Sequence, residues 1–437
     1  MDYQNKIPTG KVSRATRFIK TGIKVSGNYA AHYAKKIIGE SDKEELERKN
    51  AEEIFNMLSQ LKGTALKIAQ MLSMDTGILP KAYAEKFINA QNNALRLSGP
   101  LVMNTFQKYT GMAPGDMFDS FNMQAIAAAS IGQVHEAYKD GKRLAVKIQY
   151  PGVAENIHSD ISMAKPFILR YMGVSATAVQ QYVEEITERL IEETDYVKEL
   201  QNGLEAHEIA MLHRDVVVPK FYPEFSSKKV LTMEWLEGKT LNEFIETEKN
   251  QEKRNAVGQA LVNFFQDQVH IKKKFHADLH PGNFIITDDY KLGVIDFGCT
   301  KALPDVVYEN YFALADNNVL EDKEKLKSIF IKLDFLRESD TSEEMEMYWD
   351  IILKTIELIS RPLRVDSFDF SDEQYNIDLQ TFGDQLNKDE RLKNDNAARG
   401  SRHTLFLHRA FIGLFGILYN LKAQVSFSRS FVGNIHL

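Results

Sequence analysis

The sequence predicts an α+β fold with two lobes, one built around an antiparallel sheet and the other mostly helical. Alternating apolar residues on both sides of an Asp-Gly turn predict a β-hairpin over residues 127–150. Apolar residues three and four positions apart predict helices before this hairpin and in most of the chain after residue 241. A second, shorter hairpin, written "NFIITDDYKLGVID" and starting at Asn283, interrupts the helical half. The period of the pattern therefore changes along the chain from helix to strand and back to helix.

Length and composition limit the classes of protein to which the chain can belong. Its 437 residues are enough for two or three subdomains with a sizeable core. Hydrophobic residues make up 43% and charged residues 26%, which is typical of a soluble globular protein. The net charge of −7 argues against a nucleic acid as the main partner, since such proteins usually carry a basic excess. The single cysteine, Cys299, excludes an internal disulfide and a cysteine-rich zinc site, and it indicates a reducing compartment.

Residues 1–40 form a basic arm, with eight Lys or Arg residues against two acidic residues. Basic residues alternate there with Phe18, Ile19, Ile23 and Val25, a pattern that suits a helix touching an anionic membrane surface. A solvated, partly disordered arm explains the same composition, since no apolar face persists. No apolar run of sufficient length follows the charges, so a cleavable signal peptide is not expected.

The segment from Ser41 to about Ala90 is helix-forming, and the hairpin of residues 127–150 follows it. The apolar stripe of this segment, typical of helix-on-helix packing, consists of Ile54, Leu58, Leu61, Ala65, Ile68 and Leu72. The strands of the hairpin are "SIGQVHEAY" and "RLAVKIQY". In the second strand Lys147 lies on the face opposite to Val146 and Ile148. A lysine in so apolar a strand is either an edge residue that reaches solvent or one aimed at an anion.

A long helical pattern runs from about Ala178 to Leu212 and contains "EETDYVKELQN". Asp195 and Glu199 share one face of this helix, whereas Glu193 points to roughly the opposite side from Asp195. An acidic, solvated helix surface explains the pattern without any function. The segment 230–241 is then predicted to be a buried strand that runs into a turn and connects the lobes.

The remainder of the chain is predicted to be largely helical, apart from a polar, acidic and loop-like section near residues 361–400. The most apolar segment, Ala410–Leu421, has twelve residues and would span roughly 18 Å as a helix. The hydrocarbon core of a membrane is about 30 Å thick. The segment is therefore predicted to be a buried core helix, and no transmembrane span is expected.

The stretch "FHADLHPGNFIITDDYKLGVIDFGC", from Phe275 to Cys299, has the residue types that kinase-type phosphoryl transfer requires. In that chemistry a catalytic aspartate orients or deprotonates the nucleophile, and an asparagine five residues later binds Mg²⁺. A second aspartate, after a short hairpin, binds Mg²⁺ that bridges the phosphates. Asp278, Asn283 and Asp296 match this order and spacing. Each element alone is a weak signal, but the ordered set is specific.

Lys147 in "LAVKIQY" corresponds to the strand lysine of kinases, and Glu199 is its expected helix partner. The pair would hold the α and β phosphates of ATP, while a structural salt bridge is the alternative role. The sequence has no glycine-rich loop of the G-x-G-x-x-G type, and "GKT" at 238–240 lacks the upstream glycine of a P-loop. Another segment would therefore have to cover the phosphates of a bound ATP.

Four further motifs resemble those of the UbiB/ADCK family of atypical protein-kinase-like proteins, also written AarF. "LKGTALKIAQMLS" is similar to the K-x-G-Q signature of that family, "AAASIGQVHEA" to its alanine-rich loop, "KIQYPGV" to its lysine strand and "ETDY" to its E-x-D motif. Small-molecule kinases of the aminoglycoside phosphotransferase type also carry a loop like "HADLHPGN", so this loop alone identifies only the protein-kinase-like superfamily. The resemblance covers roughly Lys62–Thr300 and continues more weakly to the end. Ala69 replaces the glycine of K-x-G-Q, and we expect the fold to survive because alanine favours a helix.

The resemblance implies a bilobal protein-kinase-like fold of the α+β class, with an N-terminal helical K-x-G-Q extension packed over the active site and a mostly helical C-lobe. Lys67 and Gln70, as regulatory motif residues, would approach Glu193 and Asp195. The residues expected to bind the nucleotide are Ala127, Ala128, Ala129, Ser130, Lys147, Glu199, Glu234 and Leu236. The alanine-rich loop would lie over the phosphates, where Cβ atoms restrict the backbone more than glycines do.

The function that the resemblance implies is ATPase or small-molecule kinase activity in support of isoprenoid-quinone biosynthesis or lipid handling, because the K-x-G-Q helices would occlude a groove for a peptide. ATP and Mg²⁺ are the expected cofactors, with Asp278 and Lys147 as catalytic residues and Asn283 and Asp296 as metal ligands. The candidate partners are an anionic membrane surface, a quinone precursor, quinone-biosynthesis enzymes and a second copy of the chain, and nucleic acid is not expected. The expected location is cytoplasmic, peripheral at the inner face of a membrane. A small-molecule phosphotransferase and a nucleotide-gated scaffold with little turnover stay open as alternatives.

Four regions are expected along the chain. They are a basic arm over 1–40, a helical K-x-G-Q extension over 41–115, a kinase-like N-lobe with the alanine-rich loop and inserted helices over 116–236, and a helical C-lobe with the catalytic and metal-binding loops over 237–437.

Overall fold

The structure is a computed structural model that describes residues 3–4, 16, 20–21, 24, 28, 43–61, 96–128, 131–171, 187–188, 190–389, 391–392 and 399–427. The chain divides into two compact units. The first comprises Met1–Leu200 and Phe221–Trp235, and the second comprises Gln201–Lys220 and Leu236–Leu437. The boundaries of the four regions expected from the sequence stay predictions.

Helices and short strands alternate along the described part of the chain. The helices are α1 Lys43–Leu61, α2 Gly99–Thr110, α3 Pro114–Met117, α4 Val153–Tyr171, α5 Tyr196–Ala210, α6 Leu241–Thr247, α7 Gln251–Lys272, α8 Asp305–Ala313, α9 Asn317–Glu321, α10 Lys323–Lys332, α11 Ser342–Ser360, α12 Glu373–Lys388 and α13 Arg402–Leu421. The strands are β1 Tyr3–Gln4, β2 Arg96–Leu97, β3 Ser120–Phe121, β4 Ala127–Ala128, β5 Gly132–Lys139, β6 Lys142–Gln149, β7 Val216–Val217, β8 Val230–Glu234, β9 Lys239–Thr240, β10 Lys274–His276, β11 Phe284–Ile286, β12 Leu292–Val294, β13 Thr300–Ala302, β14 Phe368–Asp369 and β15 Gln424–Val425.

A five-stranded antiparallel sheet lies at the centre of the first unit, in the order β3-β5-β6-β8 with β4 also paired to β5. The hairpin of β5 and β6 turns at Asp140 and Gly141, which both have positive φ, 49° and 73°, as a tight two-residue turn between twisted strands requires. Lys147 of β6 is paired with Val134 of β5 and with Leu231 of β8. The hairpin predicted over residues 127–150 is confirmed, and it places Lys147 on an inner strand rather than at an edge of the sheet.

The second unit contains a four-stranded sheet in the order β7-β12-β11-β9. Its β11 and β12 form the antiparallel hairpin that the sequence predicts, with Phe284 paired to Val294. Separately, β10 pairs with β13, and His276 at the end of β10 lies opposite Thr300. This pairing brings the chain just before Asp278 beside the chain just after Asp296.

Two long helices, α7 and α13, form the core of the second unit. Phe265 of α7 and Phe411 of α13 are almost completely buried, and their ring centroids lie 5.5 Å apart at an interplanar angle of 71°. Edge-to-face contacts of this kind add to the free energy of burying the rings. Leu414 and Leu418 of α13 are also fully buried, so one face of this helix belongs to the core.

Helix α13 begins at Arg402 rather than at Ala410, so it has 20 residues and its length alone does not exclude a membrane span. Among the described helices it is the one that is long and apolar enough to cross a membrane by length and composition. Of its most apolar 18-residue window, 56% is buried inside the structure. The burial of Phe411 and Leu414 supports the prediction of a core helix, although the predicted start was wrong.

The section near residues 361–400 is not the loop that the sequence predicts, because α12 occupies Glu373–Lys388. The side chain of Asp372 caps the helix by accepting a hydrogen bond from the backbone N–H of Gln374 at 2.9 Å. Tyr375 is buried, and its hydroxyl donates to the carbonyl of Leu358 at 3.0 Å. A cap and a buried aromatic residue thus hold a helix in a section that is mostly polar and acidic, and this composition misled the prediction.

The pattern from Ala178 to Leu212 was predicted as one helix, and the described part of it shows a break. Residues 190–193 are helical, a turn follows at Thr194, and α5 begins at Tyr196. The carboxylate of Asp195 accepts hydrogen bonds from the backbone N–H groups of Val197 and Lys198, both at 3.1 Å. An aspartate in this position starts a new helix, which is why the pattern breaks there.

Several predictions concern residues outside the described ones. Among them are the K-x-G-Q positions Lys67, Ala69 and Gln70, and the positions Ala129 and Ser130 of the alanine-rich loop. The packing of the K-x-G-Q extension over the active site therefore stays a prediction. Helix α1, with Ile54 fully buried, confirms the first part of the helical segment predicted from Ser41.

Candidate active site

The first unit contains the lysine and glutamate pair that the sequence predicts. The Nζ atom of Lys147 donates hydrogen bonds to both carboxylate oxygens of Glu199, at 2.8 Å and 3.1 Å. The side chains are only 10% and 2% exposed, and the ring of Tyr196 lies 5.2 Å from the same Nζ atom. Burial of two charges is costly unless each compensates the other. The sheet and the first turn of α5 thus hold a cationic group in a fixed place, as a site for phosphate oxygens requires.

The two acidic residues of the E-x-D motif have different surroundings. Asp195 is exposed and caps α5, whereas Glu193 is half-buried at the end of the preceding helical turn. Burial lowers the pKa of the nearby Lys229 below its usual range, while the negative charges of Glu155 and Asp195 raise it again in part. Asp195 therefore has a structural role, and its expected approach to Lys67 and Gln70 stays a prediction.

The alanine-rich loop enters the sheet at β4, where Ala127 and Ala128 pair with Val134 and Gln133 of β5. Gly132 opens β5 at a point of close approach that the sequence reasoning did not single out. A Cβ atom on Gly132 would lie 2.5 Å from the carbonyl oxygen of Ile148 and 2.9 Å from the hydroxyl of Tyr196. Only glycine fits there, and its place shortly after the three alanines, in "AAASIGQ", was the available signal.

Glu234 and Leu236, the predicted nucleotide-binding residues of the connector, belong to different units. Glu234 is exposed at the end of β8, where it is paired with Leu144 of β6. Leu236 lies near Gly293 of β12, since a Cβ atom on that glycine would be 3.0 Å from Cδ1 of Leu236. Their role in nucleotide binding stays a prediction.

The second unit holds Asp278 and Asn283 in one hydrogen-bonded loop. The carbonyl oxygen of Asp278 accepts hydrogen bonds from Nδ2 of Asn283 at 2.9 Å and from the backbone N–H of His280 at 2.8 Å. The backbone N–H of Asn283 donates in turn to the carbonyl of His280 at 2.9 Å. Because Nδ2 of Asn283 is committed to the loop, Oδ1 is the atom of this amide that can act as a metal ligand.

A buried histidine joins the two aspartates of the motif. His276 is 1% exposed, its Nδ1 accepts a hydrogen bond from the backbone N–H of Asp278 at 3.1 Å, and its Nε2 donates to the carbonyl of Asp296 at 2.7 Å. These two bonds fix the tautomer with its proton on Nε2. The sequence reasoning did not give His276 a role, and its position two residues before Asp278 was the signal available.

The segment of Asp296 is fixed by further hydrogen bonds. One carboxylate oxygen of Asp296 accepts from the backbone N–H of Gly298 at 3.0 Å. The next residue, Phe297, is buried, and its carbonyl accepts from Nδ2 of the buried Asn202 at 3.1 Å. Asn202 was also missed by the sequence reasoning, since nothing in its local pattern distinguishes it from a polar helix residue.

The donor set around Asn283 and Asp296 fits a magnesium ion that is held together with phosphates. Among the residues that the structure describes, no cluster of three or more His, Cys, Asp or Glu side chains could hold a metal by itself. Mg²⁺ in phosphoryl-transfer sites is typically bound by one or two protein groups, several waters and the oxygens of the substrate phosphates. One amide oxygen and one carboxylate are therefore the donors that such an ion needs from the protein.

Comparisons with known proteins show what the chain is similar to. A family model described as the ABC1 atypical kinase-like domain matches residues 89–330. The chain is 26% identical to a probable serine/threonine-protein kinase, abkA, of Dictyostelium discoideum, over 97% of this chain and 78% of that protein. It is 27% identical to the mitochondrial atypical kinase COQ8 of Saccharomyces cerevisiae, over 98% of this chain and 85% of that protein. A solved complex of Rv3197 with erythromycin from Mycobacterium tuberculosis aligns with a TM-score of 0.58 and 27% identity, over 90% of this chain and 97% of that one.

Proposed function

Because the chain belongs to the ABC1 family of atypical kinase-like proteins, we propose that it binds Mg-ATP and transfers the γ-phosphoryl group to water or to a small acceptor. Membership confirms the resemblance to the UbiB/ADCK (AarF) family and the kinase-like fold expected from it. The proposal names the nucleotide, the metal and the acceptor. Family membership by itself indicates only a kinase-like function.

The observation that carries the proposal is the hydrogen-bond network around His276. It fixes the backbones of Asp278 and Asp296 relative to each other, and Asn283 is tied to the same loop. Phosphoryl transfer depends mainly on positioning and on electrostatic stabilisation, so a rigid set of these groups is what the reaction needs.

The residues have distinct roles in the proposed reaction. Lys147, held by Glu199, binds the α and β phosphates, and the carboxylate of Asp278 orients the acceptor and takes its proton. Asn283 and Asp296 are the protein ligands of Mg²⁺, which when bound neutralises charge on the phosphates. Ala127 and Ala128, with the rest of the alanine-rich loop, cover the nucleotide in place of a glycine-rich loop.

The proposed acceptor is water or a small lipid-like molecule, and the proposed context is isoprenoid-quinone biosynthesis at a membrane surface. Support comes from the K-x-G-Q motif, which in the family would exclude a peptide, and from the similarity to the mitochondrial atypical kinase COQ8 of yeast. Hydrolysis of ATP by the purified protein, with and without anionic liposomes and phenols that resemble quinone precursors, tests acceptor and membrane together. Turnover that is unchanged by both additions would contradict the membrane and quinone part of the proposal.

The catalytic assignment predicts a specific effect of Asp278→Asn. This change removes the proton acceptor but keeps the shape of the side chain, so Mg-dependent ATP turnover should fall by about 10²- to 10⁴-fold while ATP affinity stays within a few-fold. Phosphate release measures the first quantity, and equilibrium binding of a fluorescent ATP analogue measures the second. Asp288→Asn, in the exposed turn between β11 and β12, is the matched control and should leave both unchanged. Equal turnover of Asp278→Asn and wild type would rule out the assignment.

A small-molecule phosphotransferase is the second candidate function, and one observation favours it. The solved relative was determined as a complex with erythromycin, a bulky and largely apolar small molecule. Incubation with labelled ATP and a panel of macrolides, phenols and polyprenyl alcohols would detect a phosphorylated product. Turnover of ATP without any labelled product in this panel would favour water as the acceptor.

A further inference from the structure

Helix α13 approaches the loop of Asp278 at a single glycine. A Cβ atom on Gly413 would lie 3.2 Å from Cβ of Leu279, 3.5 Å from its carbonyl oxygen and 3.9 Å from its Cα. The helix and the loop therefore meet here without a side chain on the helix. Contacts of 3.2 Å are tighter than most Cβ atoms make, so a methyl group at this position would require Leu279 to move by a few tenths of an ångström.

Leu279 cannot absorb that movement by turning its side chain. The atoms that a methyl group would meet are Cβ and backbone atoms, whose positions follow the backbone of the loop. Leu279 directly follows Asp278, whose carbonyl oxygen is held by Asn283 and by the backbone of His280. A displacement of Leu279 is therefore transmitted to the peptide group of Asp278.

A second glycine of the same helix provides a contrast. Gly416 has no heavy atom within 4 Å of the place where its Cβ would stand, and it is exposed. Glycine weakens a helix relative to alanine, because it loses more backbone freedom on folding. At Gly416 nothing in the structure explains the glycine, whereas at Gly413 the close approach to the loop explains it.

We infer that Gly413 is a positioning residue for the catalytic loop. Because this position has no side chain, the loop can approach α13 closely, and this approach determines the position of the carboxylate of Asp278. The inference rests on the proposed function for the role of Asp278 and adds a residue that acts on it through Leu279. Helix α13 therefore supports the loop at the contact between Gly413 and Leu279. The reaction barrier is sensitive to displacements well below 1 Å, so even a methyl group here should reach the chemistry.

The test compares Gly413→Ala with Gly416→Ala in the full chain. Gly413→Ala should lower kcat for ATP turnover by about tenfold, while KM and the Kd for Mg-ATP stay within about twofold, since Lys147 and Asp296 lie on other segments of the chain than the loop that is displaced. Gly416→Ala should keep the kcat of the wild type, with an equal or higher Tm because alanine favours the helix. A role in packing alone would lower Tm and leave kcat of the folded protein unchanged.

Hydrogen exchange of the loop gives a readout that does not require activity. Peptides that cover residues 275–284 should exchange faster in Gly413→Ala than in Gly416→Ala, since the packing of Leu279 against α13 is disturbed. If the wild type turns over ATP and the two variants have equal kcat, the inference is wrong while the proposed function stands. If the wild type shows no turnover, the proposed function fails, and equal exchange in the two variants would then overturn the inference as well.

Discussion

Lys147 illustrates how a residue proposed to act in the chemistry is also part of the packed structure. Its strand lies between two others, and Glu199 of α5 compensates the charge of its buried ammonium group at 2.8 Å. A buried charge without such a partner is strongly unfavourable. The geometry that stabilises the buried lysine also fixes the position of its ammonium group, which the proposed phosphate binding requires.

Glu199→Ala should lower the free energy of unfolding by about 3–5 kcal/mol, because the change removes a buried carboxylate that accepts two hydrogen bonds from the ammonium group of Lys147. The double variant Glu199→Ala with Lys147→Met should recover much of this loss, since both charges of this pair are then removed. Urea denaturation measures both. The control is Glu192→Ala, whose 3.5 Å ion pair with the half-exposed Lys198 should cost less than about 1 kcal/mol. Similar losses for Glu192→Ala and Glu199→Ala would contradict the role given to the buried pair.

The role of a single residue could be predicted from the sequence when its motif is visible there, and not when its hydrogen-bond partner is a backbone atom. Lys147 and Glu199 were found because strand alternation and motif order are visible in the sequence. His276 and Asn202 were not found, because they bind the backbone carbonyls of Asp296 and Phe297. Backbone atoms carry no sequence signal, so these partners become visible only when the chain is folded.

Among the elements, the short strand β9 depends on one glycine in the connector. Gly238 has φ of 149°, and a Cβ atom there would lie 2.3 Å from the carbonyl oxygen of Ile286 in β11. Backbone conformations in this region are accessible almost only to glycine. β9 directly follows this glycine and pairs with β11, so the hairpin that leads to Asp296 relies on it.

Gly238→Ala should lower the free energy of unfolding by about 2–4 kcal/mol, since it combines backbone strain with a clash against β11. Gly383→Ala is the matched control, because Gly383 lies inside α12 with no atom within 4 Å of its Cβ position. That change should be neutral or stabilise by up to about 1 kcal/mol. Chemical denaturation of the two variants and the wild type provides the comparison. A tolerated Gly238→Ala would show that β9 can be rearranged without cost.

The helices show where pattern reasoning fails at the scale of elements. The hairpins β5-β6 and β11-β12 were predicted, because their turns and alternation are local. Helix α12 was missed because its cap and the buried Tyr375 outweigh a polar composition. Helix α13 was predicted too short because its first residues, from Arg402 onward, are less apolar than its core segment.

At the scale of the whole molecule, the residues assigned to the proposed function are divided between the two compact units. Lys147 and Glu199 belong to the first unit, and Asp278, Asn283 and Asp296 belong to the second. A ligand that binds only the folded protein stabilises it by mass action. The proposed function therefore has a consequence for stability that does not depend on turnover.

Mg-ATP at a hundred times its Kd should stabilise the protein by about 2.7 kcal/mol and raise Tm, whereas ATP with EDTA should do so less. Asn283→Ala should remove most of the dependence on Mg²⁺, because the amide oxygen is one of the proposed ligands. Asn318→Ala, at an exposed position of α9, should retain it. Differential scanning fluorimetry measures all of these shifts. An equal response of Asn283→Ala and wild type to Mg²⁺ would exclude Asn283 as a ligand.

The sequence by itself determined the order of the chemical groups and the local hairpins that carry them, because spacing and period act over a few residues. It also determined the family, since the motifs around Lys147 and Asp278 are specific in combination. The tertiary structure alone decided how these groups are held. His276 is hydrogen-bonded to the backbones of Asp278 and Asp296, and Gly413 lies in close contact with Leu279. The reason is physical: those contacts involve backbone atoms or a glycine that has no side chain, and neither leaves a pattern in the sequence.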